Sequence, residues 1–380
     1  MRRIFWADLN YFDLKTDKST FIEICNELAK SGYEVCFITS YKKSKFIPED
    51  LNYLFQYIYA PAVPFLFRLI LIFRILLYLM KNLQQDDLLI CQPAALALTL
   101  VAKKKNAKVH LDFRTLPCDI ISWKGHLDRY IFWKIMIKWF LEDADSFSFI
   151  SETLKSEVEK EFNHHFHDYV IWSSAVNTEL FKILPNNREG AKSIHFFYHG
   201  HITIKRGILT FINAFAQVIQ HGRNDVFLTI AGDGPELEFI KKSTDDLGMK
   251  EHVRFLGLQP YESMPGLINE ADICVSPLPD RLEWNVSSPL KVFEYLACGK
   301  PVLLTPIPAH RDVLGDMDGI IYTKGDDENA FVSGITEACE KVEFLNAQSN
   351  FLRNFVSRRY TWKEQGKVLI AHLRKIYTGD

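Results

Sequence analysis

This 380-residue chain lacks the cysteine spacing of a metal or disulfide protein. Its seven cysteines (Cys25, Cys36, Cys91, Cys118, Cys274, Cys298 and Cys339) are odd in number, scattered, and never in a C-x-x-C pair with histidine nearby. That excludes a zinc ribbon or a disulfide scaffold and leaves reduced thiols packed in a core. An excess of one charge sign is lacking too: 45 basic against 47 acidic side chains give a formal net charge of −2. The electrostatic footprint of a general nucleic-acid binder is therefore missing, and nucleic acid is not an expected partner. No Pro/Gly/Ser-rich or single-residue tract marks a disordered arm, and with 48% hydrophobic residues the whole chain is expected to fold. Asp8 and Asn10 interrupt the N-terminus before a leader-like apolar run can form, so a cytoplasmic location is expected. A clean membrane span is missing as well. The most apolar stretch, 64–83, is broken by Arg68, Arg74 and Lys81, and such charges cost about 2.5–3.5 kcal/mol each at a bilayer centre.

What is present is an alternation of strand-length apolar runs with helical patterns, run through twice. The first series includes RRIFWAD, EVCFITS, LLICQP, KVHLDF, SFSFIS and DYVIWSS; the second includes IHFFYHG, FLTIAGDG, VRFLGL, ICVSPL, PVLLTP and GIIYT. Each series implies a parallel sheet flanked by helices, and the length suits two domains of roughly 150–200 residues. The polar stretch from Pro185 to Gly190 marks the break. The expected division is 1–183, 184–360, and a last helix over 361–380. Two segments, 64–83 and 130–141, are apolar and basic at once. In the second, Lys134 and Lys138 share one helical face with Trp133, Trp139 and Phe140 as amphipathic anchors. A lipid-surface role and plain core packing both remain open for them.

The chemistry concentrates in residues 285–306: a Ser-Ser-Pro turn, the helix LKVFEYLACG, a Gly-Lys-Pro turn and a strand. A helix start delivered at the carboxyl edge of a parallel strand offers free N–H groups and a positive dipole end, which suit a phosphate. Ser288, Pro289, Leu290 and Lys291 form that start. Glu294, one turn on, can accept the two hydroxyls of a ribose.

Residues 289–303 (PLKVFEYLACGKPVL), together with 200–207 (GHITIKRG), 231–237 (AGDGPEL) and 253–258 (VRFLGL), resemble the retaining glycosyltransferase family 4 of the GT-B fold. The resemblance implies two Rossmann-like domains facing across a cleft, 1–183 binding the acceptor and 184–360 the nucleotide sugar, with the C-terminal helix over 361–380 crossing back to the N-terminal domain. It implies a nucleoside-diphosphate sugar as donor, a hydroxyl on a glycan or lipid-linked acceptor, and no cofactor. Glu294 then occupies the place of the ribose-binding second glutamate, whereas Val286 stands where the first would be, with Glu283 a possible substitute. Gly200, His201, Lys205 and Arg206 fall at the family's diphosphate loop, where its usual Arg is His201 here. Leu258 falls at the base pocket and Arg114, in the strand end HLDFR, near the reacting sugar. Arg206, Arg114 and His201 are thus the catalytic candidates. With no D-x-D in a loop suited to hold an ion, metal is not expected. A nucleotide-sugar 2-epimerase of the same fold, or a nucleotide-binding relative without activity, remain alternatives.

Overall fold

The structure, a computed structural model, describes residues 2–378 apart from 16, 44, 46–50, 64–65, 117–133, 136 and 186–192. It contains two compact units, Met1–Ser174 with Trp362–Asp380, and Ala175–Thr361. Each is built on one parallel sheet.

In the first unit the strands are β1 (Arg3–Tyr11), β2 (Glu34–Ser40), β3 (Leu54–Tyr57), β4 (Leu88–Cys91), β5 (Lys108–Phe113), β6 (Ser146–Phe149) and β7 (Tyr169–Ile171), in the order β3-β2-β1-β4-β5-β6-β7. In β1 every residue from Ile4 to Leu9 is buried, as a strand covered on both faces requires. The sequence reading did not anticipate β3. Its LFQY run sits at the sheet edge and stays half exposed, so it carries neither a buried apolar run nor a strict alternation.

In the second unit the strands are β8 (Ile194–His199), β9 (Val226–Ala231), β10 (Val253–Gly257), β11 (Ile273–Ser276), β12 (Val302–Leu304) and β13 (Ile320–Tyr322), ordered β10-β9-β8-β11-β12-β13. Successive side chains of β8 divide between two cores. Phe196 and Tyr198 join Phe211, Phe215 and Phe331 on one face, and Phe197 joins Val292, Phe293 and Leu296 on the other. Each such side chain contributes about 1.5–3 kcal/mol on burial.

The units divide at Ser174/Ala175, earlier than the polar stretch at 185–190. The reason is local. Val176 and Phe181 are buried in the second unit's core, and Val176 N donates to Tyr360 O at 2.8 Å. Arg353 fastens the same stretch, its Nη1 donating to Phe181 O (2.9 Å) and Ala297 O (2.6 Å) and its Nη2 to Thr178 O (3.0 Å). The last helix, Trp362–Thr378, belongs to the first unit: Gln365 Oε1 accepts from Ser173 N at 2.6 Å. At Gly366 a Cβ would stand 2.9 Å from Glu27 Cβ, so the bare backbone lets this helix lie close on helix Lys18–Lys30. Six cysteines are buried free thiols; Cys118 lies outside the described residues.

In both sheets the strand order reverses once, between β1 and β4 and between β8 and β11. Ligands of open α/β sheets bind beyond the carboxyl ends of the strands at that point.

Candidate functional site

In the second unit the expected residues flank the β8/β11 reversal. Strand β8 delivers Tyr198, His199 and Gly200. The loop after it carries His201 and a 3-10 turn, Ile204–Arg206. On the other side, the loop after β11 passes through a short helix, Leu282–Asn285, into helix Leu290–Ala297.

Two glycine loops at this edge lean on each other. Gly200 N donates to Ala231 O (3.0 Å), Ile202 N to Asp233 O (2.9 Å) and Gly232 N to Gly257 O (2.8 Å). A Cβ on Gly232 would lie 1.9 Å from Gly200 O, and one on Gly234 2.0 Å from Ile202 O. The Gly232-Asp233-Gly234 turn is thus needed for close backbone packing against the 200–202 loop. Gly207 has the same constraint, with Pro277 O at 1.9 Å from its would-be Cβ.

Glu294 is only 2% exposed. Its Oε2 lies 3.1 Å from His199 Nε2, and its Oε1 accepts from the Tyr261 hydroxyl at 3.2 Å. Neither partner was singled out from the sequence. His199 immediately precedes the loop glycine, which was the one available signal.

Lys291 was expected to serve through its backbone, but its side chain is the notable feature. The Nζ atom is buried, has no hydrogen-bond partner, and sits over the Tyr198 ring at 4.0 Å. Gly200 leaves it room: a Cβ there would meet Nζ at 3.0 Å. Burial pushes the ammonium's pKa well below the usual lysine range, the Arg206 charge pushes it the same way, and Glu294 pulls it back. Arg206 itself lies over the Trp284 ring at 4.8 Å, and Trp284 Nε1 donates to Lys205 O at 2.9 Å. Trp284, from the short helix after β11, therefore seats the 3-10 turn carrying both cations. Burial raises the Tyr198 phenol and the Arg206 charge lowers it.

Lys205 and His201 are exposed, and His201 uses only its carbonyl, which accepts from the Tyr198 hydroxyl at 3.3 Å. Leu258 is 78% exposed just past β10. In the 288–291 turn Leu290 N donates to Ser288 O (3.0 Å) and Pro289 has no N–H, so two of the four expected backbone donors are not free. Val286 is buried and Glu283 half-buried. His310 donates from Nδ1 to Thr305 O (2.8 Å) and lies 3.2 Å from Ser276 Oγ; burial pushes it down to about 4, so this imidazole is a neutral brace between the ends of β11 and β12.

Arg114 lies in the first unit, just after β5. It donates to Trp172 O at 2.9 Å and stacks on the Trp172 ring at 3.7 Å. Asp112 is buried and its Oδ1 accepts from Ser148 Oγ (2.8 Å) and Trp172 Nε1 (3.1 Å). Burial raises the Asp112 carboxyl, and the Arg114 charge opposes that rise without a direct ion pair between them. Among the described residues no group of three or more His, Cys, Asp or Glu side chains could hold a metal ion.

Residues 193–341 match the sequence profile of the family described as Glycosyl transferases group 1. An uncharacterised glycosyltransferase of Methanocaldococcus jannaschii is 24% identical over 235 residues, spanning 57% of each chain. Among solved structures, sucrose-phosphate synthase from Thermosynechococcus elongatus superposes with a TM-score of 0.81 over 100% of both chains at 15% identity. Anabaena HepE in complex with UDP superposes with a TM-score of 0.75 over 99% of this chain and 100% of HepE, at 14% identity. The fold is of the GT-B kind, and these likenesses support a sugar-transfer function.

Proposed function

Because residues 193–341 match the profile of the group 1 glycosyl transferases, we propose that the protein moves a hexose-type sugar from a nucleoside-diphosphate donor to a hydroxyl acceptor, with retention. The observation that carries this reading is the Lys291 ammonium, buried, without a hydrogen-bond partner, and set beside Arg206. Holding a buried, unpartnered cation within the field of a second, half-buried one is unfavourable unless an anion joins them. A diphosphate supplies that anion. Arg206 and Lys291 bind it, with Lys205 adjacent and His201 as a further candidate, and they stabilise the charge that grows as the nucleotide leaves. The departing phosphate takes the acceptor's proton on the same face, so neither a protein nucleophile nor a metal is required. Glu294 holds the ribose, and Leu258 borders the base.

A thermal-shift screen of UDP-, GDP-, dTDP- and ADP-sugars tests this. A donor at ~100 times its dissociation constant adds about 2.7 kcal/mol of stability. HepE's bound UDP puts uridine donors first. The absence of any shift defeats the reading, and an epimerised nucleotide sugar as the sole product would replace transfer by epimerisation.

The acceptor in this reading is a cell-surface glycan or a lipid-linked saccharide met at the cytoplasmic face of a membrane. No helix among the described residues is long and apolar enough to cross one. Helix Phe67–Asn82 instead buries Leu71, Ile72, Ile75 and Leu79 and exposes Leu69, Phe73, Leu77 and Met80 on another face. With Arg68, Arg74 and Lys81 on the same helix, it has the composition of one lying in a lipid interface. In 130–141, residues 130–133 and 136 lie outside the described residues; Trp139 is exposed, while Lys134 pairs with Glu161 at 2.8 Å. The protein should co-sediment with phosphatidylglycerol vesicles, and Phe73→Glu with Leu77→Glu should abolish this. Unchanged sedimentation of the double variant rules the helix out.

A further inference from the structure

Between β11 and helix Leu290–Ala297 one residue, Trp284, is bonded to both of the elements that carry Arg206 and Lys291. Its indole Nε1 donates to Lys205 O at 2.9 Å, and its ring lies 4.8 Å from the Arg206 guanidinium. Its own carbonyl accepts from Ser287 N (3.1 Å) and Ser287 Oγ (2.7 Å), in the Ser-Ser-Pro turn that opens the helix of Lys291.

The chemistry of the turn explains why a tryptophan suits this place. A short 3-10 turn leaves carbonyls at its end that need outside donors. In Ile204–Arg206 the carbonyls of Thr203 and Ile204 are taken by Arg206 N and Gly207 N, and Lys205 O is taken by the indole. Tryptophan offers one N–H at its edge and a face that attracts a cation, so a single side chain holds the carbonyl of residue 205 and the charge of residue 206. The ring is half-buried and packs against Leu278, Ile307 and Ala309, from the segments that follow β11 and β12. Gly207, with no room for a Cβ beside Pro277 O, holds the turn to the same loop at a second point. The direction in which Arg206 leaves the backbone is therefore set by the loop after β11. A guanidinium already held on an indole face gives up less side-chain freedom on meeting an anion than one free in water.

We propose that Trp284 is a positioning residue for the diphosphate, acting by fixing Arg206 relative to Lys291 and making no contact with the donor itself. The inference rests on the reading of Arg206 and Lys291 as the diphosphate cations.

The test is a double-mutant cycle. The nucleoside diphosphate that binds best out of UDP, GDP, dTDP and ADP is titrated calorimetrically into the full chain. Arg206→Ala should weaken binding roughly ten- to a hundredfold, as the loss of a charged hydrogen-bond donor does. Trp284→Leu keeps an apolar side chain against Leu278, Ile307 and Ala309 but has neither ring nor N–H, and should weaken binding roughly tenfold. Trp284→Phe keeps a ring for Arg206, should weaken binding a few-fold, and carries the cycle if the leucine variant does not fold. In the Arg206→Ala background neither Trp284 variant should weaken binding further, because the residue through which Trp284 acts is gone. Losses that multiply instead show a role in packing alone and overturn the proposal, as does wild-type affinity in Trp284→Leu. An Arg206→Ala protein that binds as tightly as wild type overturns it too, while its bound nucleotide leaves the donor reading standing. A wild type that binds none of the four diphosphates defeats the donor reading, and this proposal with it.

Discussion

Replacing Lys291 by methionine is expected to make the free protein more stable while lowering donor turnover by roughly two to three orders of magnitude. The two effects have one cause. In the free protein the ammonium is buried over Tyr198 with no hydrogen-bond acceptor and with Arg206 pushing against its charge. Methionine fills a similar volume without that desolvation cost, a change worth about 1–2 kcal/mol in favour of folding. In the donor complex the same charge faces the leaving diphosphate, and removing one such preorganised group typically lowers kcat by ~10²–10³. The pH dependence gives a second check. Because the folded-state pKa lies well below the usual lysine value of 10.5, the folded state sheds this proton first as pH rises. In the window between the folded pKa and about 10.5 the unfolded state therefore binds more protons, and stability rises with pH. Below the window the penalty is fully present, so the advantage of Lys291→Met is greatest there and shrinks as pH climbs. Urea unfolding of both proteins from neutral to alkaline pH, with initial rates on the best donor, measures all of this. A variant that is less stable at neutral pH, or as active as wild type, removes Lys291 from the diphosphate site.

The placement of Lys291 also shows what could and could not be read in advance. Most strands were legible because a parallel sheet covered on both faces needs uninterrupted apolar runs, and IHFFYH or FLTIA leave few other choices. Strand β3 was not, because a four-residue edge strand carries no such run. Glu294 could be found from its motif. Its partners could not, since Tyr261 is 33 residues away and meets the carboxylate only once β10 and β11 are neighbours of β9 and β8. For Lys291 the sequence showed a cation at a helix start, where a dipole argument points to the backbone. Only the position of Gly200 beneath Nζ, and of Tyr198 as its platform, turns the side chain inward.

Glu294→Ala is expected to abolish the distinction between ribose and deoxyribose in the nucleotide. An ionised carboxylate offers about four lone-pair sites, and in the free protein one is taken by the Tyr261 hydroxyl while His199 Nε2 approaches the other oxygen. About two remain, enough for the 2′- and 3′-hydroxyls of one ribose. The buried setting strengthens these bonds, and a hydrogen bond to a charged group contributes about 1.5–3 kcal/mol. Wild type should therefore bind UDP, or whichever nucleotide the donor screen selects, roughly ten- to a hundredfold more tightly than its 2′-deoxy form. The alanine variant should bind both equally and more weakly than wild type binds the ribonucleotide. Removal of the carboxylate also strands His199 and Tyr261, which lowers stability by about 1–3 kcal/mol, so affinities must be compared at a temperature where both proteins are folded. Glu294→Gln separates the causes: it keeps a carbonyl acceptor for Tyr261 and one ribose hydroxyl, and should show intermediate discrimination. Isothermal titration of the two nucleotides into the three proteins gives the result directly. Equal preference for ribose in wild type and Glu294→Ala would mean that this carboxylate is a structural anchor for Tyr261 and His199 and that the ribose is held elsewhere.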